Sequence, residues 1–244
     1  MIEKKCILPN FLTVMSMFCG FYSIVSSIQG NYVAAAYAIL VAFVFDGLDG
    51  KVARALNATS KFGVQLDSLS DLVSFGVAPA VLIYMWLLIP YGRLGWMAAF
   101  LFVACGALRL ARFNVQAGKI DSTFFVGLPI PSAAGIIATS VLFVKDVFGN
   151  PTDFSIPVTY VFMIYLLAFL MVSSLPYYSF KKVEGISKRP FNIMVLFVLF
   201  IFIIGMYPEV FLFLFFVGYI FSGLLLGLLR YKKKIPMEDS IEEI

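Results

Sequence analysis

The stretch from Asp46 to Asp71 reads DGLDGKVARALNATSKFGVQLDSLSD, and its reading decides both the fold and the chemistry. Four carboxylates, Asp46, Asp49, Asp67 and Asp71, stand in two segments that are otherwise long and apolar enough to cross a membrane. An aspartate at membrane depth costs about 2.5–3.5 kcal/mol on insertion scales, and four together repel one another. A bound polyvalent cation removes both penalties. Asp46 and Asp49 are three residues apart and Asp67 and Asp71 four, so each pair shares one face of a helix. Asn57 to Ser60 is the natural turn between the two helices. Folding there sets Asp46 level with Asp71 and Asp49 level with Asp67. At about 1.5 Å per residue, the four lie roughly 10–20 Å below the cytoplasmic end of the hairpin.

The surrounding residues fit a ligand beside that cation. Gly50 and Ala53 share the face of Asp46 and Asp49, and Gly63 precedes Asp67 by one turn. Small side chains there leave room for a bulky group, and Arg54 is placed to meet phosphate. Oxygen-only ligands select a hard cation, Mg²⁺ or Mn²⁺, with Ca²⁺ also compatible. Two such ions clamping a diphosphate is the chemistry that four carboxylates suit best. Two other readings are weighed against this one. Mutually paired buried charges need enough cations, and only Lys51, Arg54 and Lys61 lie nearby. A cation pathway of a transporter calls for internal symmetry and broken spans, and neither is visible in the sequence.

Composition places the rest of the chain in lipid. Of 244 residues, 61% are hydrophobic and 13% charged, and the mean hydropathy is +0.97. Soluble domains average about 45–50% apolar and about 25% charged. There is no histidine, which excludes histidine metal sites, histidine bases and Ser–His or Cys–His nucleophile pairs. Acid–base work falls to Asp, Glu, Lys or Tyr. Cys6, Cys19 and Cys105 have no metal-binding spacing. The first apolar run continues into a full span and shows no cleavable signal pattern.

Windows of about 20 apolar residues predict eight spans: Leu8 to Gln29, Tyr32 to Leu56, Phe62 to Leu88, Gly95 to Gln116, Pro131 to Phe148, Ile156 to Tyr177, Pro190 to Tyr207 and Glu209 to Leu229. The expected fold is an all-α polytopic transmembrane helix bundle. Threading eight spans with the N-terminus inside leaves only Arg93 and Lys145 outside, of 18 Lys and Arg in total. That asymmetry matches the positive-inside rule and predicts an N-in, C-in topology in the cytoplasmic membrane. The net charge of +4 is accounted for by anionic head groups, with no nucleic-acid partner. Gly223 and Gly227 form a small-xxx-small pair suited to close approach in the last span. Asn57-Ala58-Thr59 matches a glycosylation acceptor by chance, on the side predicted to be cytoplasmic.

The pattern Asp46-x2-Asp49-Gly50-x2-Ala53-Arg54-x8-Gly63-x3-Asp67-x3-Asp71 resembles the signature of the CDP-alcohol phosphatidyltransferase family, with no departure. The resemblance implies a six-helix catalytic core, a homodimer, and two divalent cations and a CDP-lipid held by this motif. It implies that Asp46, Asp49, Asp67 and Asp71 are metal ligands and that Asp71 is also the base. Asp49, Gly50, Ala53, Arg54 and Gly63 then line the nucleotide and diphosphate site. The expected division is a core over residues 1–180, a two-span extension over 181–230 and a polar cytoplasmic tail over 231–244.

For the acceptor, the runs FDGLDGKVAR, FGVQLDSLSDLVSFGVAPA, ALRLARFNV and GLPIPSAAG are similar to family members that use L-serine with CDP-diacylglycerol. Arg109 and Arg112 lie three apart near the cytoplasmic end of the fourth span, with Asn114 just beyond. Two guanidiniums there suit a serine carboxylate or a lipid phosphate; the plainer reading is charge at a helix C-terminus reaching head groups. Glycerol 3-phosphate or an inositol phosphate is the alternative acceptor. The loop from Asn114 to Pro129 is half polar and half apolar, and is expected to lie on the membrane surface over the site.

Overall fold

The structure, a computed structural model, describes residues 4–116, 124–149, 157–178 and 207–233. A 3₁₀ turn, Lys4–Cys6, leads into α1, Ile7–Ile28, and then α2, Tyr32–Ala55. Helix α3 runs through Lys61–Tyr91, α4 through Arg93–Gln116 and α5 through Ile130–Phe148. Helix α6 is Pro157–Val172 and α7 is Pro208–Lys233. Two short strands, β1 (Phe124–Val126) and β2 (Pro176–Tyr178), pair antiparallel. All these helices but α6 are long and apolar enough to cross a membrane. The molecule is a polytopic helical bundle, as the hydropathy predicts. The predicted span Pro190 to Tyr207 lies almost wholly outside the described residues.

Helix α1 is built inside out relative to a soluble helix. Its buried face is Pro9, Thr13, Ser16, Gly20, Ser23, Ser26 and Ser27, while Phe11, Phe18, Phe21 and Tyr22 are exposed. Lipid is as apolar as leucine, so burying aromatics gains little there. Small residues let backbones approach and hydroxyls bridge helices. Ser16 donates to the Ala42 carbonyl of α2 at 3.1 Å. Ser70 and Ser74 of α3 donate back to the carbonyls of Thr13 and Ser16, each at 3.0 Å. A Cβ on Gly20 would stand 2.6 Å from Ser74 Cα, so only glycine permits this crossing. The result fixes α1 against both arms of the carboxylate hairpin.

Helix α3 changes pitch twice. It is α-helical over Lys61–Asp71, widens to a π-helix over Leu72–Val77 and again over Tyr84–Leu88, and closes on a 3₁₀ turn, Ile89–Tyr91. Each widening precedes a proline, Pro79 and Pro90. A proline ring clashes with the carbonyl four residues back and offers it no N–H. The chain responds with bonds of longer span, Ala78 N–H to the Val73 carbonyl and Ile89 N–H to the Tyr84 carbonyl. Asp67 and Asp71 lie wholly on the undistorted first segment.

Helix α5 forms the centre of the bundle, with Ala133, Ala134, Ile137, Ala138, Val141 and Leu142 fully buried. The sixth predicted span is shorter than expected. Helix α6 stops at Val172, and Ser173, Ser174 and Pro176 turn the chain into β2 before Tyr177. Backbone that leaves the helical ladder must find other hydrogen-bond partners. Here Gly127 N–H donates to the Leu175 carbonyl at 2.9 Å, and Leu128 N–H to the Leu170 carbonyl at 3.0 Å. Within the apolar half of the loop predicted to lie on the membrane surface, residues 124–126 form a strand paired with β2, and Val126 stays exposed. Residues 117–123, its polar half, lie outside the described residues.

Candidate active site

The hairpin turns where the sequence predicts. Helix α2 ends at Ala55, Asn57 takes a positive φ of 50°, and Ser60 caps α3 by accepting from Gly63 N–H at 3.0 Å. Asparagine tolerates the left-handed region better than most residues. The Ala58 carbonyl accepts from the Cys6 thiol at 3.4 Å, which ties the turn to the start of α1. This closure brings the four aspartates together across the two helices.

Asp46, Asp49 and Asp67 each offer a carboxylate oxygen within 4.8 Å of the others. Asp49 is buried and the other two half-buried. Three hard oxygen donors at this mutual distance fit one divalent cation and leave positions open for further oxygen ligands. Asp71 stands one turn deeper on α3. Its carboxyl is a hydrogen-bonding neighbour of Asp46, in agreement with the predicted register. Its Oδ1 is buried without a hydrogen-bond partner, so the set still has a donor atom to give.

Thr13 of α1 orients one ligand of this set. Its hydroxyl donates to Asp49 Oδ2 at 2.7 Å, a charge-assisted bond that fixes the carboxylate before any ligand arrives. A cleft of about 300 Å³ opens directly above, lined by Pro9, Asn10, Thr13, Asp49, Gly50, Ala53, Arg54, Ala58, Thr59, Ser60, Gly63, Val64 and Asp67. Every residue predicted from the sequence for the nucleotide and diphosphate is on that wall. A Cβ on Gly50 would meet nothing within 4 Å, whereas one on Gly63 would stand 3.2 Å from Asn10 Oδ1 and Ser60 Oγ. Arg54 lies exposed at the rim, with Nε donating to the Gly50 carbonyl at 3.0 Å. The α1 residues Pro9, Asn10 and Thr13 were not anticipated. The signal that marks them is the spacing of small and polar residues along α1.

The three residues predicted for the acceptor differ in their partners. Arg109 is 8% exposed and its Nε has no hydrogen-bond partner. The ionisable groups around it are Asp71, Tyr219 and Arg112. Arg112 is half-buried and donates Nη2 to the Ser173 carbonyl at 3.3 Å. Asn114 donates Nδ2 to Ser68 Oγ at 2.8 Å, next to Asp67 on α3. Arg109 therefore faces the carboxylate cluster, while Arg112 and Asn114 are engaged by the chain itself.

The bundle of apolar helices thus encloses three clustered carboxylates, which could hold a metal ion, beside a small-residue cleft. The chain belongs to the CDP-alcohol phosphatidyltransferase family, whose model matches residues 6–172. It is similar to the CDP-diacylglycerol–serine O-phosphatidyltransferase of Helicobacter pylori (strain ATCC 700392 / 26695), 39% identical over 186 residues, 75% of this chain and 76% of that one. The enzyme of the same description from Bacillus subtilis (strain 168) is 35% identical over 175 residues, 72% of this chain and 92% of the relative. The archaetidylserine synthase of Methanothermobacter thermautotrophicus is 38% identical over 182 residues, 74% and 72% of the two chains.

Proposed function

We propose that this protein transfers the phosphatidyl group of CDP-diacylglycerol to L-serine, releasing phosphatidylserine and CMP. The observation that carries the reading is the Asp46–Asp49–Asp67 cluster at the floor of a cleft walled by Gly50, Ala53, Arg54 and Gly63. Mg²⁺ or Mn²⁺ held by these aspartates would neutralise the diphosphate and stabilise the departing CMP. Gly50 and Gly63 let the nucleotide approach the helix backbones, and Arg54 meets phosphate at the rim. Asp71 accepts the proton of the serine hydroxyl. The hydroxyl oxygen bonds to the lipid-side phosphorus as the anhydride bond to CMP breaks. With no histidine in the chain, a single direct displacement is the simplest route. Arg109, buried beside Asp71 with a free Nε, is the cation for the serine carboxylate. The names of the relatives at 35–40% identity support serine over glycerol 3-phosphate or an inositol phosphate. Family membership leaves the cation-coupled transporter without support.

Eight spans with both termini inside, a site open to the cytoplasm, two cations and a homodimer complete the proposal. So does the division into residues 1–180, 181–230 and 231–244. The test is purified protein with CDP-diacylglycerol, Mg²⁺ or Mn²⁺ and a panel of alcohols, scored by CMP release. Serine should support release and excess EDTA should abolish it. Full activity in EDTA sinks the metal mechanism. Release with glycerol 3-phosphate and not serine sinks the acceptor alone. Asp46→Asn and Asp67→Asn should weaken metal and nucleotide binding together. Asp71→Asn should lose turnover more than CDP-lipid affinity.

A further inference from the structure

Buried polar atoms without partners are rare in folded proteins, and each implies a ligand or a cost. Among the described residues four side-chain atoms are in this state: Ser23 Oγ, Asp71 Oδ1, Arg109 Nε and Tyr177 Oη. Ser23 stands apart, ten residues further along α1 than Thr13, about 15 Å by helical rise. The other three are linked. Asp71 and Tyr219 are both ionisable neighbours of Arg109, and Tyr219 is in turn the neighbour of Tyr177. The Tyr177 and Tyr219 ring centroids are 5.6 Å apart. Arg112, one turn past Arg109, is bonded to the Ser173 carbonyl just before β2.

Tyr177 and Tyr219 both lie beyond residues 6–172, the part matched by the family. Tyr177 is held in place by the glycine pair of the last helix. A Cβ on Gly223 would collide with the Tyr177 ring, and one on Gly227 with the Leu175 side chain. The small-xxx-small pair thus docks α7 on the strand segment that carries Tyr177, rather than on another helix. Tyr177 is fully buried, yet its hydroxyl is left unbonded in a position the glycines secure. A phenylalanine would fill the same space without that penalty.

We propose that Tyr177, backed by Tyr219 of α7, forms the outer wall of the acceptor site around Arg109, and that its hydroxyl hydrogen-bonds the acceptor amino acid. The proposal rests on the serine-transfer reading above. It assigns a role to residues past the stretch 6–172 that the family shares: recognition of the acceptor rather than of the CDP-lipid. Arg109 takes the carboxylate, and the phenol supplies the second polar contact that a small zwitterion requires to be oriented toward Asp71.

The experiment compares wild type with Tyr177→Phe, which removes one oxygen and keeps the ring against Gly223 and Tyr219. The serine KM should rise about tenfold or more, while the CDP-diacylglycerol KM and the kcat stay close to wild type and the Tm is equal or higher, since an unbonded buried hydroxyl is removed. A purely structural tyrosine would lower Tm or kcat and leave the ratio of the two KM values unchanged. Gly223→Ala serves as a second variant, since it displaces the ring without removing any polar group. It too should raise the serine KM selectively, with a lower Tm. An unchanged serine KM in Tyr177→Phe overturns the proposal, whatever Gly223→Ala does. A wild type that releases no CMP with serine overturns the serine reading and this wall together, so the two failures are told apart.

Discussion

Thr13 of α1 donates its hydroxyl to Asp49 Oδ2 across a helix interface at 2.7 Å, so a residue of the first helix sets the orientation of a carboxylate on the second. The same threonine offers its carbonyl to Ser70, one residue before Asp71. Helix α1 therefore positions both arms of the hairpin from a single point.

Thr13→Val keeps the shape and removes the donor. Groups that orient metal ligands are worth about 10–100-fold in metal affinity or activity. The Mg²⁺ or Mn²⁺ concentration for half-maximal CMP release should rise about tenfold, with recovery at high metal. A metal titration that overlays wild type would show that Asp49 is held by its own helix alone.

Two glycines should respond in opposite ways. Gly50 lies within α2, and a Cβ there meets nothing within 4 Å. Alanine in a helix interior is favoured over glycine by about 1 kcal/mol, so Gly50→Ala should raise Tm slightly. It also narrows the cleft, and the CDP-diacylglycerol KM should rise. Gly20→Ala meets Ser74 Cα at 2.6 Å and should lower Tm by forcing α1 and α3 apart. A Gly50→Ala variant with unchanged lipid KM would remove Gly50 from the binding wall.

Topology is checked by cysteine labelling. Lys61 begins α3 and Arg93 follows its far end, 31 residues of helix later. Cysteines replacing Lys61, Lys119, Lys188 and Lys233 should resist an impermeant thiol reagent in intact cells, and those replacing Arg93 and Lys145 should react. Reaction of position 61 or 188 from outside would undo the eight-span arrangement.

The hairpin was legible because lipid forbids what it contains. Charges at this depth need a reason, and their spacing at three and four residues already placed Asp46 opposite Asp71. The role of α1 was not legible. Hydropathy treats Thr13, Ser16 and Ser23 as interruptions in an apolar run, whereas in a membrane bundle they are the packed face. The end of α6 at Val172 was hidden for a related reason. Leu175, Pro176 and Tyr177 are apolar enough to extend a span, and only the pairing with residues 124–126, some fifty positions earlier, makes them a strand. Arg109 and Arg112 looked equivalent at three-residue spacing. Their difference lies in partners contributed from Ser173 and Tyr219, which local sequence does not reveal.

That difference makes the last prediction asymmetric. Arg109 is 8% exposed, next to Asp71, with Nε unbonded. Arg112 is half-buried and already donates to the Ser173 carbonyl. A bidentate arginine–carboxylate contact requires the planar guanidinium, and lysine cannot reproduce it. Losing such a contact in a desolvated site costs about 2–5 kcal/mol, or roughly thirtyfold or more in affinity. Arg109→Lys should therefore raise the serine KM by about that factor, with the CDP-diacylglycerol KM nearly unchanged. Arg112→Lys keeps a positive donor near Ser173 and should cost far less in serine KM, with its effect appearing in Tm. Kinetics of the two variants at saturating CDP-diacylglycerol, with serine varied, separate the cases. If both lose CDP-lipid affinity and keep serine affinity, the arginines hold the lipid phosphate, and the serine assignment then rests on the relatives alone.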